Sequence, residues 1–554
     1  MKACDYIVDV LIQHGTTDAF GIPGAVLLDL LYAMQKRSPE ITPHLCYHEQ
    51  GAGFAALGYA QASGRLGVAY GTRGPGFTNL VTTIADAYAD SIPMLFITSH
   101  TSAPASDMRI QVNQEIDTCQ MISRITKYAK RVDTAEELVV GIHEACNKAL
   151  QGRRGPVFMD IASKLWDAEV PEKNMEAKSA SVESISTEDI VAIELALSKS
   201  KRPIVLIGDG INQANLSCQL NALVNKWQIP VLSSRYAHHT IAKNDLYYGY
   251  FGCFGLRYAN FILSKTDLII SLGNRLNFPI NSKSYGHLPQ QAKFIRFDID
   301  EAEFCRDIPN ALNICADLND ALDALNQHYW SIKPFDEWLQ VCKTLRDELM
   351  DADMDGVPTM IENLLKQLPE DTSVINDVGN NEFWVSRACA KAAHAGKVLY
   401  SKNFASMGNA LPKAIGAYYA TRKPVVCFMG DQGFQLNSQE LQTIAQNRLP
   451  IWVVVMNNHV SGMIRDKEKA KYDGYLHATK ESGYAVPDLA KLAEAYGLLY
   501  ANSIEGIAEL TQPMLVDLSI DSDISLRPYL PIGNKTQDMM PMLEEELYNR
   551  LNAI

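Results

Sequence analysis

Asp431 and Asn458 are the two side chains whose types and spacing point most directly to chemistry. The β-rich run Pro424–Met429 leads straight into Gly430-Asp431-Gln432-Gly433. A helical stretch to about Asn447 follows, and a second β-rich run, Ile451–Met456, ends in Asn457-Asn458. A strand–helix–strand unit of this kind makes the strands parallel with a right-handed crossover. Asp431 and Asn458 then sit just beyond the carboxyl ends of two strands, at the sheet edge where open α/β sheets bind ligands. One carboxylate, one amide oxygen and nearby backbone carbonyls form a hard oxygen set. Completed by phosphate oxygens and water, it suits Mg²⁺, which rarely occupies an all-protein cage. Gly433 lets a phosphate approach the backbone closely. Asn437 reads as the helix N-cap, with Glu440 three residues later completing a capping box. The chain supplies its own control in Gly208-Asp209-Gly210, which also follows a strand. Tyr236 stands where an asparagine would be needed, so that copy reads as an ordinary turn.

Three blocks must position these residues. From Thr17 to about Ile161 helix-like and strand-like runs alternate, with glycine corners at Gly21–Gly24 and Gly74–Gly76. Such alternation predicts a parallel sheet with helices on both faces. A Lys-, Glu- and Ser-rich stretch around Pro171–Glu188 reads as a linker. A second α/β unit follows, with strands at Pro203–Ile207, Asp267–Leu272 and Phe294–Ile299. A second linker, with Lys333-Pro334 and Asp351–Asp355, leads to the block that carries Asp431. The expected fold is α/β, with three doubly wound parallel-sheet domains at 1–170, 185–330 and 355–535 and a tail at 536–554. No short repeat is visible; blocks one and three could be distant copies of one fold, but residue identity does not show it.

Gly-Asp-x, about 25 residues with one helix, then Asn-Asn resembles the thiamine diphosphate fingerprint. The resemblance implies that the Asp431 and Asn458 side chains and the Val460 carbonyl hold Mg²⁺. Gln432 replaces the small residue common in relatives, at a position used through its backbone. In the first block, Tyr47-His48-Glu49-Gln50-Gly51-Ala52 resembles the Arg-His-Glu-Gln-Gly-Ala segment of acetolactate synthases. By residue type alone Glu49 is equally well a dipole-favoured helix N-terminal glutamate. The resemblance makes it the carboxylate that exchanges a proton with the cofactor's aminopyrimidine, acid–base work by a positioned, desolvated group.

Further matches span nearly the whole chain: Gly74–Asn79, Ala85–Asp90, Asp377–Asn381 and Ser406–Gly408 among them. They imply a pyrimidine-binding first domain, a central domain and a diphosphate-binding third domain. Val378, Gly379, Asn380 and Asn381 would hold the diphosphate, with Gly430, Gln432 and Gly433 beside it. Ala405 and Met407 would grip and bend the cofactor, and Gly24 and Ile464 would also touch it. Gln114 would contact reaction intermediates. The middle block is similar to the family's FAD-binding domain, with Gly273, Arg275, Asp298 and Asp317 on FAD-contacting stretches. That fold persists in relatives without FAD, so the flavin stays open. In the family the Glu-bearing domain of one subunit faces the metal-bearing domain of another, which implies a homodimer at least and a tetramer commonly.

The chain also departs from the acetolactate synthase pattern. Lys467 replaces a tryptophan that shapes the acceptor pocket, and Phe77 replaces a small residue; both are candidate acceptor-binding positions. Arg73, Lys402 and Arg465 fall in segments that the resemblance puts near the site's mouth. The adjacent-His pair of pyruvate decarboxylases is absent from Met108–Gln114, which favours carboligation.

Composition limits the alternatives. A formal net charge of −14 disfavours a nucleic-acid partner. Eleven cysteines without a Cys-x-x-Cys pair read as reduced thiols of a reducing compartment. No secretion signal and no apolar run of membrane-spanning length is visible, so a cytoplasmic location is expected. The expected activity is a carboligase that decarboxylates a 2-oxo acid, pyruvate, and transfers the acyl-anion equivalent to an acceptor carbonyl. The alternatives are a 2-oxo acid decarboxylase that releases aldehyde and an FAD-dependent oxidoreductase of the pyruvate oxidase type.

Overall fold

Short runs of β-branched and other apolar residues, buried on both faces, form parallel strands that need helices on either side. Val425–Gly430 and Ile451–Asn457 are such runs, almost wholly buried. The computed structural model describes residues 1–101, 113–170, 185–276, 288–289, 291–305, 308, 311–354, 356–504 and 510–554. Its strands form three six-stranded parallel sheets.

The first sheet contains β1 (Asp18–Gly21), β2 (Thr42–Leu45), β3 (Gly67–Tyr70), β4 (Met94–His100), β5 (Tyr128–Val132) and β6 (Pro156–Ala162), in the order β2-β1-β3-β4-β6-β5. The second contains β7 (Pro203–Ile207), β8 (Val231–Ser233), β9 (Tyr247–Tyr250), β10 (Leu268–Leu272), β11 (Lys293–Asp298) and β12 (Ala311–Cys315), in the order β12-β11-β10-β7-β8-β9. The third contains β13 (Ser373–Asn376), β14 (Val398–Leu399), β15 (Val425–Gly430), β16 (Ile451–Asn457), β17 (Leu499–Ala501) and β18 (Met514–Ser519), in the order β14-β13-β15-β16-β18-β17. The first and third orders are identical when each is numbered from its own first strand. Blocks one and three therefore share one topology, a likeness their residues do not display.

Two compact units emerge. One holds the first and third sheets: residues 1–180, 372–381 and 399–522. Within it the helices Glu49–Ser63 and Ala410–Thr421 cross backbone to backbone. A Cβ on Gly416 would lie 1.7 Å from the Ala55 carbonyl oxygen, and one on Gly58 would lie 2.2 Å from that of Lys413. The small-residue run Gly51-Ala52-Gly53 and Ala55-Ala56 thus belongs to helix packing. One apolar core joins Phe20, Phe77, Phe96, Ile415, Val453 and their neighbours. A second covers the other face of the first sheet. The other unit, residues 181–371, 382–398 and 523–554, packs its own core around the second sheet.

Several expectations change. The helix after β15 begins at Asp431 itself and runs to Leu436, so Asn437 ends a helix instead of starting one. Asn437 makes no capping bond, and the chain resumes as a short 3-10 turn and the helix Leu441–Gln446. Of the first linker, residues 171–184 lie outside the described residues; Ser186 already caps the helix Thr187–Lys199. Between the two residue groups of the second linker stands the helix Asp336–Leu349. The stretch compared with the adjacent-His pair lies outside the described residues up to 112. Among the described residues, no helix is long and apolar enough to cross a membrane.

Candidate active site

In the third sheet the order reverses between β13 and β15, and a crevice opens beyond their carboxyl ends. The chain leaving β13 is Asp377–Asn381, the chain leaving β15 starts at Asp431, and the neighbouring β16 delivers Asn458. Asp431 is 2% exposed. It accepts hydrogen bonds from the Tyr484 hydroxyl (2.7 Å) and the His459 amide (2.8 Å). Burial pushes its carboxyl up from the ordinary range, against the pull of those bonds. Asn458 and Val460 are buried beside it, with the Val460 amide donating to Asn458 Oδ1 at 3.3 Å.

Gly462 marks where the amides converge. A Cβ there would lie 3.0 Å from Asn380 Nδ2 and 3.2 Å from Asn458 Nδ2. Asn380 Nδ2 is buried and has no hydrogen-bond partner among the described residues. An unpaired buried donor costs roughly 1–3 kcal/mol, a cost that an anionic ligand accepting from it would offset. Asn381 is fixed differently: its Nδ2 donates to the Asp377 carbonyl at 2.7 Å and to Asn376 Oδ1 at 3.2 Å. Gly379 has φ 128°, a backbone shape open to glycine. Val378 and Gly430 are half-buried. Gln432 is exposed and accepts from the Ser461 hydroxyl at 2.8 Å.

Asp377 joins these segments to a third. It is wholly buried, and burial pushes its carboxyl up to about 7. It accepts from the Gly408 amide (2.9 Å) and Asn409 Nδ2 (2.8 Å). A Cβ on Gly433 would touch it at 2.2 Å. Asp377 therefore gathers the 377–381 loop, the 405–409 turn and the start of the Asp431 helix. Sequence reading placed it in a motif without giving it this work. Ala405 (φ 56°) and Met407 are exposed on the turn.

Glu49 occupies the matching crevice of the first sheet, where order reverses between β1 and β3. It is the first residue of its helix and 8% exposed. Asn79 Nδ2 donates to Glu49 Oε2 at 2.9 Å, and a Cβ on Gly76 would lie 3.1 Å from Oε1. Gly24, after β1, packs on Thr72 of the same corner. Gln114 is exposed, has φ 65°, and lies against Gly74. Among the described residues, no hydrogen bond joins Glu49 to Asp431, Asn458 or the 378–381 loop.

The remaining candidates fall unevenly. Phe77 is wholly buried against Phe158, with ring centroids 5.2 Å apart. Ile464 and Lys467 are exposed on the helix Gly462–Lys471. Arg465 is buried and paired with Asp466 at 2.5 Å, while Arg73 reaches Glu115 at 3.5 Å. In the second sheet the reversal lies between β7 and β10. There the Gly273 carbonyl accepts from the Gly210 amide at 3.1 Å. Arg275 pairs with Glu303 at 2.7 Å, Asp298 accepts from the Asp300 amide, and Asp317 caps the helix Leu318–Gln327. Gly208-Asp209-Gly210 is the turn expected, its carboxylate held by Gln213 at 2.7 Å.

Three family models match in register with this geometry. The N-terminal TPP binding domain of thiamine pyrophosphate enzymes matches residues 1–121, their central domain 191–325, and their C-terminal TPP binding domain 377–516. The chain belongs to the thiamine pyrophosphate enzymes. Within them it is acetolactate synthase-like. It is 31% identical to acetolactate synthase isozyme 2 large subunit of Escherichia coli (strain K12), over 98% of this chain and 100% of that protein. It is 32% identical to the acetolactate synthase large subunit of Lactococcus lactis subsp. lactis (strain IL1403), over 96% of this chain and 95% of that one. Membership makes the chain a thiamine diphosphate-dependent enzyme that forms carbon–carbon bonds.

The donor set fits the cofactor. Among the described residues Asn380 offers an unpaired buried amide, Asp431 a buried carboxylate, and Gly379 a half-buried backbone at positive φ. Among the described residues no group of three or more His, Cys, Asp or Glu side chains is set to hold a metal ion. A mixed site of one carboxylate, one amide and one carbonyl, completed by phosphate, is how Mg²⁺ is usually bound. Of the residues compared with the FAD stretches, Arg275 pairs with Glu303, Asp298 accepts from the Asp300 amide and Asp317 caps its own helix.

Proposed function

We propose that the chain decarboxylates pyruvate and joins the remaining two-carbon unit to the carbonyl of an acceptor larger and more polar than a simple 2-oxo acid. In this reading the Asp431 and Asn458 side chains and the Val460 carbonyl hold Mg²⁺. Val378, Gly379, Asn380 and Asn381, with Gly430, Gln432 and Gly433, hold the diphosphate. Ala405, Met407 and Ile464 hold the rings, with Gly24 alongside. When bound, thiamine diphosphate supplies a nucleophilic carbon and an electron sink for decarboxylation.

Glu49 is the group that holds and moves a proton, at its Oε1 or Oε2, with Asn79 orienting the carboxylate. In this reading the working unit is at least a homodimer in which Glu49 of one copy faces the Asp431 set of another, as the family resemblance implies. The tetramer and a cytoplasmic location stay part of the proposal. Gln114, exposed beside the Gly74 corner, is free to meet reaction intermediates.

Lys467 carries the acceptor half of the reading. Of the four cations in segments near the mouth, Arg465 and Arg73 are matched by carboxylates, and Lys402 follows a backbone tied to Asp90. Lys467 alone of the four is exposed and without an ion pair among the described residues. It lies three residues beyond Ile464 on the same helix face. A cation there binds an anionic or hydroxylated acceptor better than an aromatic wall does. Buried against Phe158, Phe77 supports packing more than acceptor contact.

Purified protein given pyruvate and a panel of 2-oxo acid, aldehyde and ketosugar acceptors tests the proposal by product analysis. Aldehyde alone would make the chain a decarboxylase, and oxygen consumption an oxidase. Lys467→Trp is expected to lose activity toward polar acceptors and to gain acetolactate formation. Full retention of the first with no gain of the second removes Lys467 from acceptor choice.

A further inference from the structure

β2 is an edge strand of the first sheet and is only half-buried. Beyond it the Cys46 amide still donates to the Gly21 carbonyl, at 3.1 Å. The next two amides, Tyr47 and His48, leave the sheet with no strand to receive them. Both donate instead to one oxygen of Glu440, at 3.0 and 3.1 Å. The other Glu440 oxygen accepts from the Thr443 hydroxyl at 2.8 Å. Glu440 is wholly buried, and among the described residues no lysine, arginine or histidine pairs with it. Burial pushes its carboxyl up to about 7, opposed by these three bonds.

A buried carboxylate without a cation is costly, and an apolar side chain would fill the space at lower cost. The geometry shows what it secures. Tyr47 and His48 immediately precede Glu49, and His48 Nδ1 then accepts the Gln50 amide at 3.0 Å to start the helix. The Tyr47 hydroxyl adds a bond to Gln446 Oε1 at 2.7 Å, on the helix that follows Glu440. Gly51 completes the fit, since a Cβ there would lie 2.4 Å from Glu440 Oε1.

We propose that Glu440 is a positioning residue for Glu49: it clamps the backbone of Tyr47 and His48, so that the next residue presents its carboxylate at a fixed place. The inference rests on the reading of Glu49 as the proton partner of the cofactor. Catalytic groups lose rate steeply when displaced, by on the order of 10²-fold for about 1 Å.

The test uses four variants of the holoenzyme: Glu440→Ala, Glu440→Gln, Gly51→Ala and, as reference, Glu49→Gln. Three quantities are read: amide hydrogen exchange of the peptide spanning 46–50, proton–deuterium exchange at the thiazolium carbon, and thiamine diphosphate affinity by calorimetry. Glu440→Ala is expected to lose amide protection over 46–50 and to slow thiazolium exchange by about 10–100-fold, with cofactor affinity unchanged. Glu440→Gln restores both, because its amide oxygen still accepts the two N–H groups and its NH₂ donates to the Thr443 hydroxyl. Gly51→Ala reproduces the alanine variant by displacing the carboxylate, and it decides the matter if Glu440→Ala does not fold. Wild-type thiazolium exchange in Glu440→Ala or, where that variant does not fold, in Gly51→Ala overturns the proposal. So does failure of Glu440→Gln to restore what the alanine removes. If Glu49→Gln itself exchanges at the wild-type rate, the reading of Glu49 falls and the proposal falls with it, whatever the amide protection shows.

Discussion

Lys413→Met probes the most heavily buried charges in the unit that carries both crevices. Lys413 is wholly buried, its Nζ donating to the Tyr400 carbonyl at 3.0 Å and lying 4.0 Å from Asp86 Oδ1. Asp86 and Asp90 are buried with it. The Ser401 hydroxyl donates to Asp86 at 2.6 Å, and the Lys402 and Asn403 amides donate to Asp90 at 2.7 and 2.8 Å. These carboxylates thus hold the start of the turn that ends in Ala405 and Met407. Removing the cation leaves two buried carboxylates without it, which costs roughly 3–5 kcal/mol. In a unit of about 300 residues, at roughly 2.1 cal/mol/K per residue, that lowers the melting temperature by about 5–8 °C.

The loss depends on pH. Burial and the neighbouring Asp86 push Asp90 up to about 6, against the pull of Lys402 and Lys413. The native protein therefore keeps a proton that the unfolded chain, with a carboxyl near about 3.9, has released. Its burial penalty grows as pH climbs from about 4 through 6. Loss of Lys413 raises Asp90 further. The deficit is accordingly largest above pH 7 and shrinks at pH 5, where Asp90 enters the fold as a neutral acid. Calorimetric melting of wild type and variant at pH 5, 6, 7 and 8 measures it. A deficit equal at pH 5 and pH 8, or one below about 1 kcal/mol, would refute the reasoning.

Asp431→Ala is expected to abolish Mg²⁺-dependent thiamine diphosphate binding while leaving the fold intact; unchanged affinity by calorimetry would remove the metal assignment. Glu49→Gln should leave cofactor affinity alone and slow proton exchange at the thiazolium carbon by about 10²–10⁴-fold, a change read directly by deuterium incorporation. Asn380→Leu removes the buried amide that lacks a partner, so the cofactor-free protein should gain up to about 1–3 kcal/mol while cofactor affinity falls. A variant that lost stability and kept its affinity would show that Asn380 serves packing.

The positions of Asp431 and Asn458 were legible because local pattern suffices there: β15 and β16 are short apolar runs, and each candidate residue stands directly after its strand, as spacing alone predicts. Glu440 was not legible for the converse reason. Asn437 and Glu440 stand three apart before an apolar helix, the signature of a capping box. Their side chains are spent on distant partners instead: Asn437 donates to the Gly408 carbonyl at 2.8 Å, and Glu440 accepts from Tyr47 and His48. A local rule was overridden by tertiary contacts, within the third block for Asn437 and between the first and third blocks for Glu440. Asp377 escaped likewise, because nothing in Asp-Val-Gly announces a carboxylate that ties three segments together.

The shared topology of the first and third sheets lets their candidate site residues be compared position by position. Counted from its own first strand, each sheet carries a glycine corner after strand one: Gly24 in the first sheet and Gly379 in the third. After strand three the sheets diverge. The third sheet places Asp431 there, buried and anionic, while the first places Thr72-Arg73-Gly74, with Arg73 turned to Glu115. A cation after the third strand disfavours a divalent metal there, whereas the buried carboxylate of the third sheet is what the proposed Mg²⁺ site uses. The first sheet's own carboxylate instead comes after strand two, in Glu49, seated over the Gly71–Gly76 corner and bonded to an amide. Asn79 orients that carboxylate. In the proposed reading the metal site takes the carboxylate after the third strand and the proton-exchange site the one after the second; two copies of one sheet, differing at those positions, place one of each.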